Sequence, residues 1–184
     1  LNPETDISNI KITIQDVYVF PQCYAAIVDR LREYGKETLV VDIGSKTIDV
    51  IHTKNYVPVE SDSTSIAEAM IQCMAGIKNE VYQNCNRRIN EDAIQRIVMG
   101  EETTLPDECK RFVELGLSRF ANNVEAKLSE QGFDLDMIPV IYLGGGVVVM
   151  KQYGSRRGDN IFYIDDVRAN AKGFEYLAKQ KLKC

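Results

Sequence analysis

Two short apolar runs, each closed by glycine, constrain this 184-residue chain more than any other feature. The first is Thr38-Leu39-Val40-Val41-Asp42-Ile43-Gly44, and the second is Pro139-Val140-Ile141-Tyr142-Leu143-Gly144-Gly145-Gly146. Both are strand-length runs without polar alternation, so each reads as a strand covered on both faces. Such strands need helices to cover them, and the rest of the chain supplies helical patterns. Pro21 opens a helix that runs to about Tyr34, with Gly35 as its stop. Ser65 and Glu68 fit a capping box ahead of Ile66, Met70, Cys73, Met74, Ile77 and Val81 at helical spacing. Asn90 caps a helix that ends at Gly100. Thr104 and Pro106 start a longer one, with Phe112, Gly116, Phe120, Val124 and Leu128 on its buried side and Gly132 at its end.

The remaining segments complete an α/β pattern. Residues 10–20 alternate as a strand, Ile48–Thr53 follow the first glycine turn as another, and Tyr56–Glu60 form a third. A short helix follows Gly146, Ile161–Asp165 form a last strand, and Val167–Leu182 a last amphipathic helix. The order predicts a sheet domain that receives a helical insertion.

Composition narrows the function. A net charge of −5 disfavours a surface built to hold nucleic acid. No apolar run approaches the roughly 18 residues of a membrane span, and Leu1–Asn9 show no signal-peptide pattern. Cys23, Cys73, Cys85, Cys109 and Cys184 are widely spaced without C-x-x-C, which fits reduced thiols and a cytoplasmic location. His52 is the sole histidine, too little for a zinc site or a serine or cysteine triad, and its alternating strand pattern predicts a surface or edge position.

The chemistry concentrates in three places. In Asp42-Ile43-Gly44-Ser45-Lys46-Thr47-Ile48-Asp49, Gly44 is expected to permit a tight turn at positive φ and close backbone approach. Successive amides there form an anion nest, and Ser45 and Thr47 add hydroxyls. Asp42 at the strand end suits magnesium held through water. An ordinary hairpin with a solvated lysine remains the plain alternative. A Walker loop is rejected, because Ser45 separates Gly44 from Lys46 and the turn leads into a strand. In the second place, Gly144, Gly145 and Gly146 let a flat ligand or phosphate lie against bare backbone, or simply allow tight packing. A dinucleotide reading, with Asp165 and Asp166 about twenty residues on, is weakened by Val149 at the third glycine position. The third place is Pro21-Gln22-x-x-Ala25-Ala26, where small alanines permit close helix packing and Gln22 can orient a water, a solvent-facing residue at the helix start being the plain alternative for Gln22.

Taken in order, the three elements resemble the actin/Hsp70/sugar-kinase ATPase superfamily. Pro21-Gln22-x-x-Ala25-Ala26 is similar to its connecting-helix motif, Asp42 to Asp49 to its second phosphate loop, and Leu143 to Gly146 to its adenosine motif. Within it the chain most resembles ParM/StbA-type plasmid-segregation actins, through Asp16 to Gln22 and through Ala169-Asn170-Ala171-Lys172-Gly173-Phe174. The resemblance implies a ribonuclease H-like domain with ATP or GTP and Mg2+ as cofactors. Asp42 would serve the metal, Gly44, Ser45, Lys46 and Thr47 would grip phosphates, and Gly144, Gly145 and Gly146 would border the adenosine. Gln22 would stand where the family positions the attacking water. Many ParM-type proteins carry glutamate there, and a neutral amide orients water but accepts protons poorly.

Nothing before Gln22 matches the family's first phosphate loop. The chain is therefore expected to correspond to the C-terminal lobe. Residues 1–21 would be a remnant strand region of the other lobe, 22–62 and 134–184 the sheet domain, and 63–133 the helical insertion. The implied function is nucleotide-dependent filament formation for plasmid or DNA segregation. Its partners would be further copies of the chain and a DNA-binding adaptor protein, with no direct contact to nucleic acid or membrane. An S-adenosylmethionine- or dinucleotide-dependent enzyme and a non-catalytic assembly module are the alternatives.

Overall fold

A computed structural model describes residues 13–14, 16–67 and 69–182. Its centre is a sheet in the order β3-β2-β1-β5-β6, with β4 also on β2. The strands are β1 (Glu37–Ile43), β2 (Ile48–Lys54), β3 (Val57–Pro58), β4 (Thr64–Ile66), β5 (Val140–Leu143) and β6 (Ile161–Tyr163). β1, β2 and β3 form an antiparallel meander, whereas β5 runs parallel to β1 and β6 parallel to β5. The two glycine-ended runs are thus neighbouring parallel strands, with Asp42 level with Leu143.

Strand periodicity sorts the core. Leu39, Val41, Ile43, Val140 and Tyr142 point to one face, where they pack with α3 (Met70–Cys85), α4 (Glu91–Val98), α5 (Asp107–Glu130) and α6 (Val147–Tyr153). Val40, Ile51, Ile141 and Leu143 share the other cluster with α1 (Gln22–Ile27), α2 (Leu31–Tyr34) and the start of α7 (Ala169–Leu182). Covering on both faces is what the continuous apolar runs demanded. No helix of the described residues is long and apolar enough to cross a membrane.

Several local expectations hold. Asn90 caps α4, its Oδ1 accepting from Ala93 N–H at 3.0 Å. Pro106 precedes α5, and Gly132, at φ +92, follows its end. The buried stripe of α5 runs through Cys109, Val113, Leu117, Ala121, Val124 and Leu128, so Phe112, Gly116 and Phe120 lie at its margin.

Other expectations are corrected. The helix from Pro21 breaks in two, because Arg30 at φ −122 and ψ 9 leaves the helical region. Ser65 is not a helix cap: it lies in β4 opposite Asp49, and Glu68 lies outside the described residues. At the true start of α3, the Gln72 side chain accepts from Ala69 N–H at 3.1 Å. Of the strand expected over 10–20, residues 13–14 and 16–20 carry no strand pairing, and 10–12 and 15 lie outside the described residues.

His52 is also relocated, from the surface to a position only 3% exposed. Its strand β2 has neighbours on both sides, and the Phe133 ring covers it edge-on at 5.3 Å. Its Nδ1 lies 2.9 Å from Asp62 Oδ2 and its Nε2 2.9 Å from Glu37 Oε1. The hydrogen bond to His52, and then that from Ser61, hold the Asp62 carboxyl below its ordinary range. A depressed acid stabilises the fold while ionised and loses that effect as pH falls through its folded value. The melting-temperature gap between the wild-type chain and Asp62→Asn should therefore be complete above the ordinary aspartate value near 4 and shrink as pH falls below it. Thermal melts across that range measure it.

Candidate functional site

The register of β1 and β5 builds the site. Asp42 is the penultimate residue of β1, and its odd-even position turns it toward α1 and α7. It is 6% exposed, and no cation pairs with it among the described residues. Burial pushes its carboxyl above the usual range. The Asn170 amide opposes this, the nearby Asp49 charge adds to it, and the Gln22 amide opposes it weakly. Asn170 Nδ2 donates to Asp42 Oδ2 at 3.0 Å, and Gln22 Nε2 approaches the same oxygen at 3.5 Å. The Cys23 thiol beneath, donating to Asp49 O at 3.6 Å, is pushed up to about 12 by burial and then by Asp42 and Asp49.

After Ile43 the chain reverses tightly, with Gly44 N–H donating to Thr47 O at 2.9 Å. Gly44 is not at positive φ, contrary to expectation. Glycine is needed because a Cβ would stand 2.9 Å from Thr47 O. The carbonyls of Gly44 and Ser45 accept from Met70 and Ile71 N–H at 3.5 and 3.0 Å, which pins the turn to the start of α3. Among the described residues, the amides of Ser45 and Lys46 find no acceptor and the exposed Lys46 side chain finds no ion-pair partner. Thr47 Oγ1 instead turns back to Asp49 Oδ2 at 3.4 Å.

The second glycine turn lies directly against the first. Gly144 does sit at φ +87, and a Cβ there would collide with Asp42 Oδ1 and stand 2.8 Å from Ile43 O. Gly146 N–H donates to Ile43 O at 3.0 Å, and a Cβ there would strike the Ile43 side chain. Gly145 alone faces open space. Beside it a cavity of about 350 Å³ opens between the two turns and the helices α3, α4 and α6, lined by Gly44, Ser45, Met70, Met74, Val98 and Gly145.

The structure thus brings Gln22, Asp42, the Gly44–Thr47 turn and the Gly144–Gly146 turn together. No group of three or more metal-binding side chains converges among the described residues. Asn170 was missed as a site residue. Its sequence motif marked a family resemblance, but nothing local tied it to Asp42, 128 positions away. Asp165 and Asp166, the acidic pair of the dinucleotide reading, are engaged elsewhere: Asp165 with Lys151 at 2.8 Å, and Asp166 with Lys172.

Helices on both faces of this mixed sheet, with two glycine turns meeting at a strand-end aspartate, define the actin-like ATPase fold. Residues 40–153 match the family model described as archaeal actin homologue MreB-like, C-terminal, and the chain belongs to that family. Among solved structures it resembles Ta0583, an archaeal actin homologue, with TM-score 0.70 and 17% identity over 88% of this chain and 55% of that one. The Alp12 filament structure gives TM-score 0.67 and 15% identity over 88% and 52%. A Bacillus thuringiensis ParM hybrid with ADP gives TM-score 0.70 and 18% identity over 93% and 29%. The chain spans about half the length of Ta0583 and Alp12, at 55% and 52%. No curated protein matches the chain.

Proposed function

We propose that this chain is the nucleotide-binding C-terminal lobe of an actin-like filament protein that serves plasmid or DNA segregation. The observation that carries the reading is the meeting of both glycine turns at the end of β1, with Asp42 on one face of the sheet and the cavity opening on the other. Ta0583 and the Bacillus thuringiensis ParM hybrid were both obtained with ADP, which supports a nucleotide as the ligand. Ser45 and Lys46 have amides free to meet phosphate oxygens, and Lys46 adds a charge. Gly145 and the apolar wall of Met70, Met74 and Val98 suit a flat base. Asp42 would hold the waters of Mg2+, which supplies charge neutralisation at the phosphates. Gln22, beside Asp42, would orient the attacking water without taking its proton.

Phosphoryl transfer depends on positioning and charge stabilisation. This chain carries one phosphate loop of the family's two, so it is expected to bind ADP weakly and to hydrolyse ATP at a negligible rate. Calorimetry with ADP, ATP and GTP, with and without Mg2+, tests the binding, and a phosphate-release assay tests the hydrolysis. Absence of heat with every nucleotide at millimolar concentration would refute nucleotide binding, and turnover by the isolated chain would refute the half-site account.

The Alp12 structure is that of a filament, which supports self-association as the mode of action. The acidic balance of the chain supports a DNA link through an adaptor protein. Nucleotide-dependent light scattering of a form carrying both phosphate loops separates this reading from a non-catalytic assembly module, which would scatter equally without nucleotide.

A further inference from the structure

The Asn170 side chain does no work for its own helix. The start of α7 is capped by Asp166, whose carbonyl accepts from Ala169 N–H at 3.0 Å and whose Oδ1 accepts from Arg168 N–H at 2.9 Å. Asn170 reaches across the fold instead, to Asp42 Oδ2. An ionised carboxylate only accepts, so the amide nitrogen must face it and the amide oxygen must face away. That oxygen, Asn170 Oδ1, is buried and has no hydrogen-bond partner among the described residues. Buried acceptors are almost always satisfied, so this one is placed for a donor that arrives with a ligand. Water on a divalent cation is such a donor, because the cation polarises its O–H bonds.

We infer that Asn170 is a positioning residue that fixes the Asp42 carboxylate through Nδ2 and accepts from a water of a hydrated divalent cation through Oδ1. The inference rests on the nucleotide reading above. It adds a consequence for α7. One turn beyond Asn170, Gly173 packs directly on the Ala25 carbonyl of α1. The seating of α7 on α1 therefore sets where Asn170 stands, and occupancy at Asp42 is coupled to that seating.

The test uses the 184-residue chain with ADP and Mg2+ as probes. Calorimetry gives the ratio of ADP affinities with and without Mg2+, and hydrogen exchange reports the protection of α7. In the wild-type chain Mg2+ with ADP is expected to slow exchange at residues 170–176. In Asn170→Ala the Mg2+-dependent part of ADP affinity should fall about tenfold, the scale of removing an outer partner of a metal site, and the slowing in α7 should vanish. Asn170→Asp sets a second carboxylate against Asp42, so its melting temperature should rise with Mg2+ by more than that of the wild type. A merely structural role would speed exchange in α7 equally with and without ligand and leave the Mg2+ ratio unchanged. The inference is overturned if Asn170→Ala keeps the wild-type Mg2+ ratio within about twofold, inside the tenfold effect expected. It is equally overturned if Mg2+ with ADP leaves α7 exchange of the wild type unchanged. Failure of the nucleotide reading itself looks different: the wild-type chain then gives no ADP heat at all.

Discussion

Gly173→Ala is expected to lower the melting temperature by roughly 6–12 °C, because it forces two helices apart at a backbone-to-backbone contact. A Cβ on Gly173 would overlap the Ala25 carbonyl oxygen and lie 3.1 Å from Ala25 Cα. Neither atom can rotate away, so α7 must move off α1. Alanine gains about 1 kcal/mol of helix propensity over glycine. Overpacking of about 4 kcal/mol, above the usual ~1–3 because the overlap is with backbone atoms, outweighs it. A net loss near 3 kcal/mol gives the stated shift at about 2–4 °C per kcal/mol for a chain of this size. Gly116→Ala is the matched control. Its Cβ meets only the side chain of Ile77, which can change rotamer, so the loss should be nearer 1 kcal/mol. Differential scanning calorimetry of both variants decides the matter, and equal shifts would contradict the account.

The second large effect falls on Asp42, where ligand affinity and stability are expected to move in opposite directions. Asp42→Asn keeps a carbonyl oxygen for the Asn170 and Gln22 amides while removing the charge. In the ligand-free chain that charge is buried without a cation, and burial raises its carboxyl above the ordinary range. The ionised form therefore opposes folding at neutral pH, and the variant should melt higher than the wild type when no ligand is present. With ADP present the sign should reverse. Mg2+ would no longer find its carboxylate, and the Mg2+-dependent gain in ADP affinity should fall at least tenfold, equivalent to about 1.4 kcal/mol. Paired melts and calorimetry check both halves. A variant that melts lower without ligand, or that keeps its Mg2+ dependence, would show that Asp42 is a structural carboxylate and not a ligand-facing one. Functional sites commonly hold such unfavourable charges, which the ligand relieves.

The features that could be read from the sequence were those set by neighbouring residues. β1 and β5 announced themselves as continuous apolar runs stopped by glycine, and α4 and α5 through Asn90, Pro106 and Gly132. The alanines at 25 and 26 signalled close helix packing, and the structure supplies the partner in Gly173. Ser65 shows the limit of such signals. It carried a plausible helix-cap pattern, but pairing with β2 drew Thr64–Ile66 into the sheet, since a ladder partner outweighs a local cap preference. Gly44 shows it in another form: the sequence suggests both positive φ and close backbone approach, and only the close approach is found.

By itself the sequence determined the class of fold, the two glycine turns, and Asp42 at the end of a buried strand. Each rests on apolar periodicity or turn chemistry within a few residues, and these operate before any distant contact forms. Only the tertiary structure decided that Asn170 stands against Asp42, that α7 seats on α1 through Gly173, and that His52 is buried between Glu37 and Asp62. Those contacts join residues 10 to 148 positions apart, and no local preference encodes which distant side chain will fill a given space. Packing chooses that partner, by excluding water from the carboxylates and leaving room for one amide, one glycine and one imidazole.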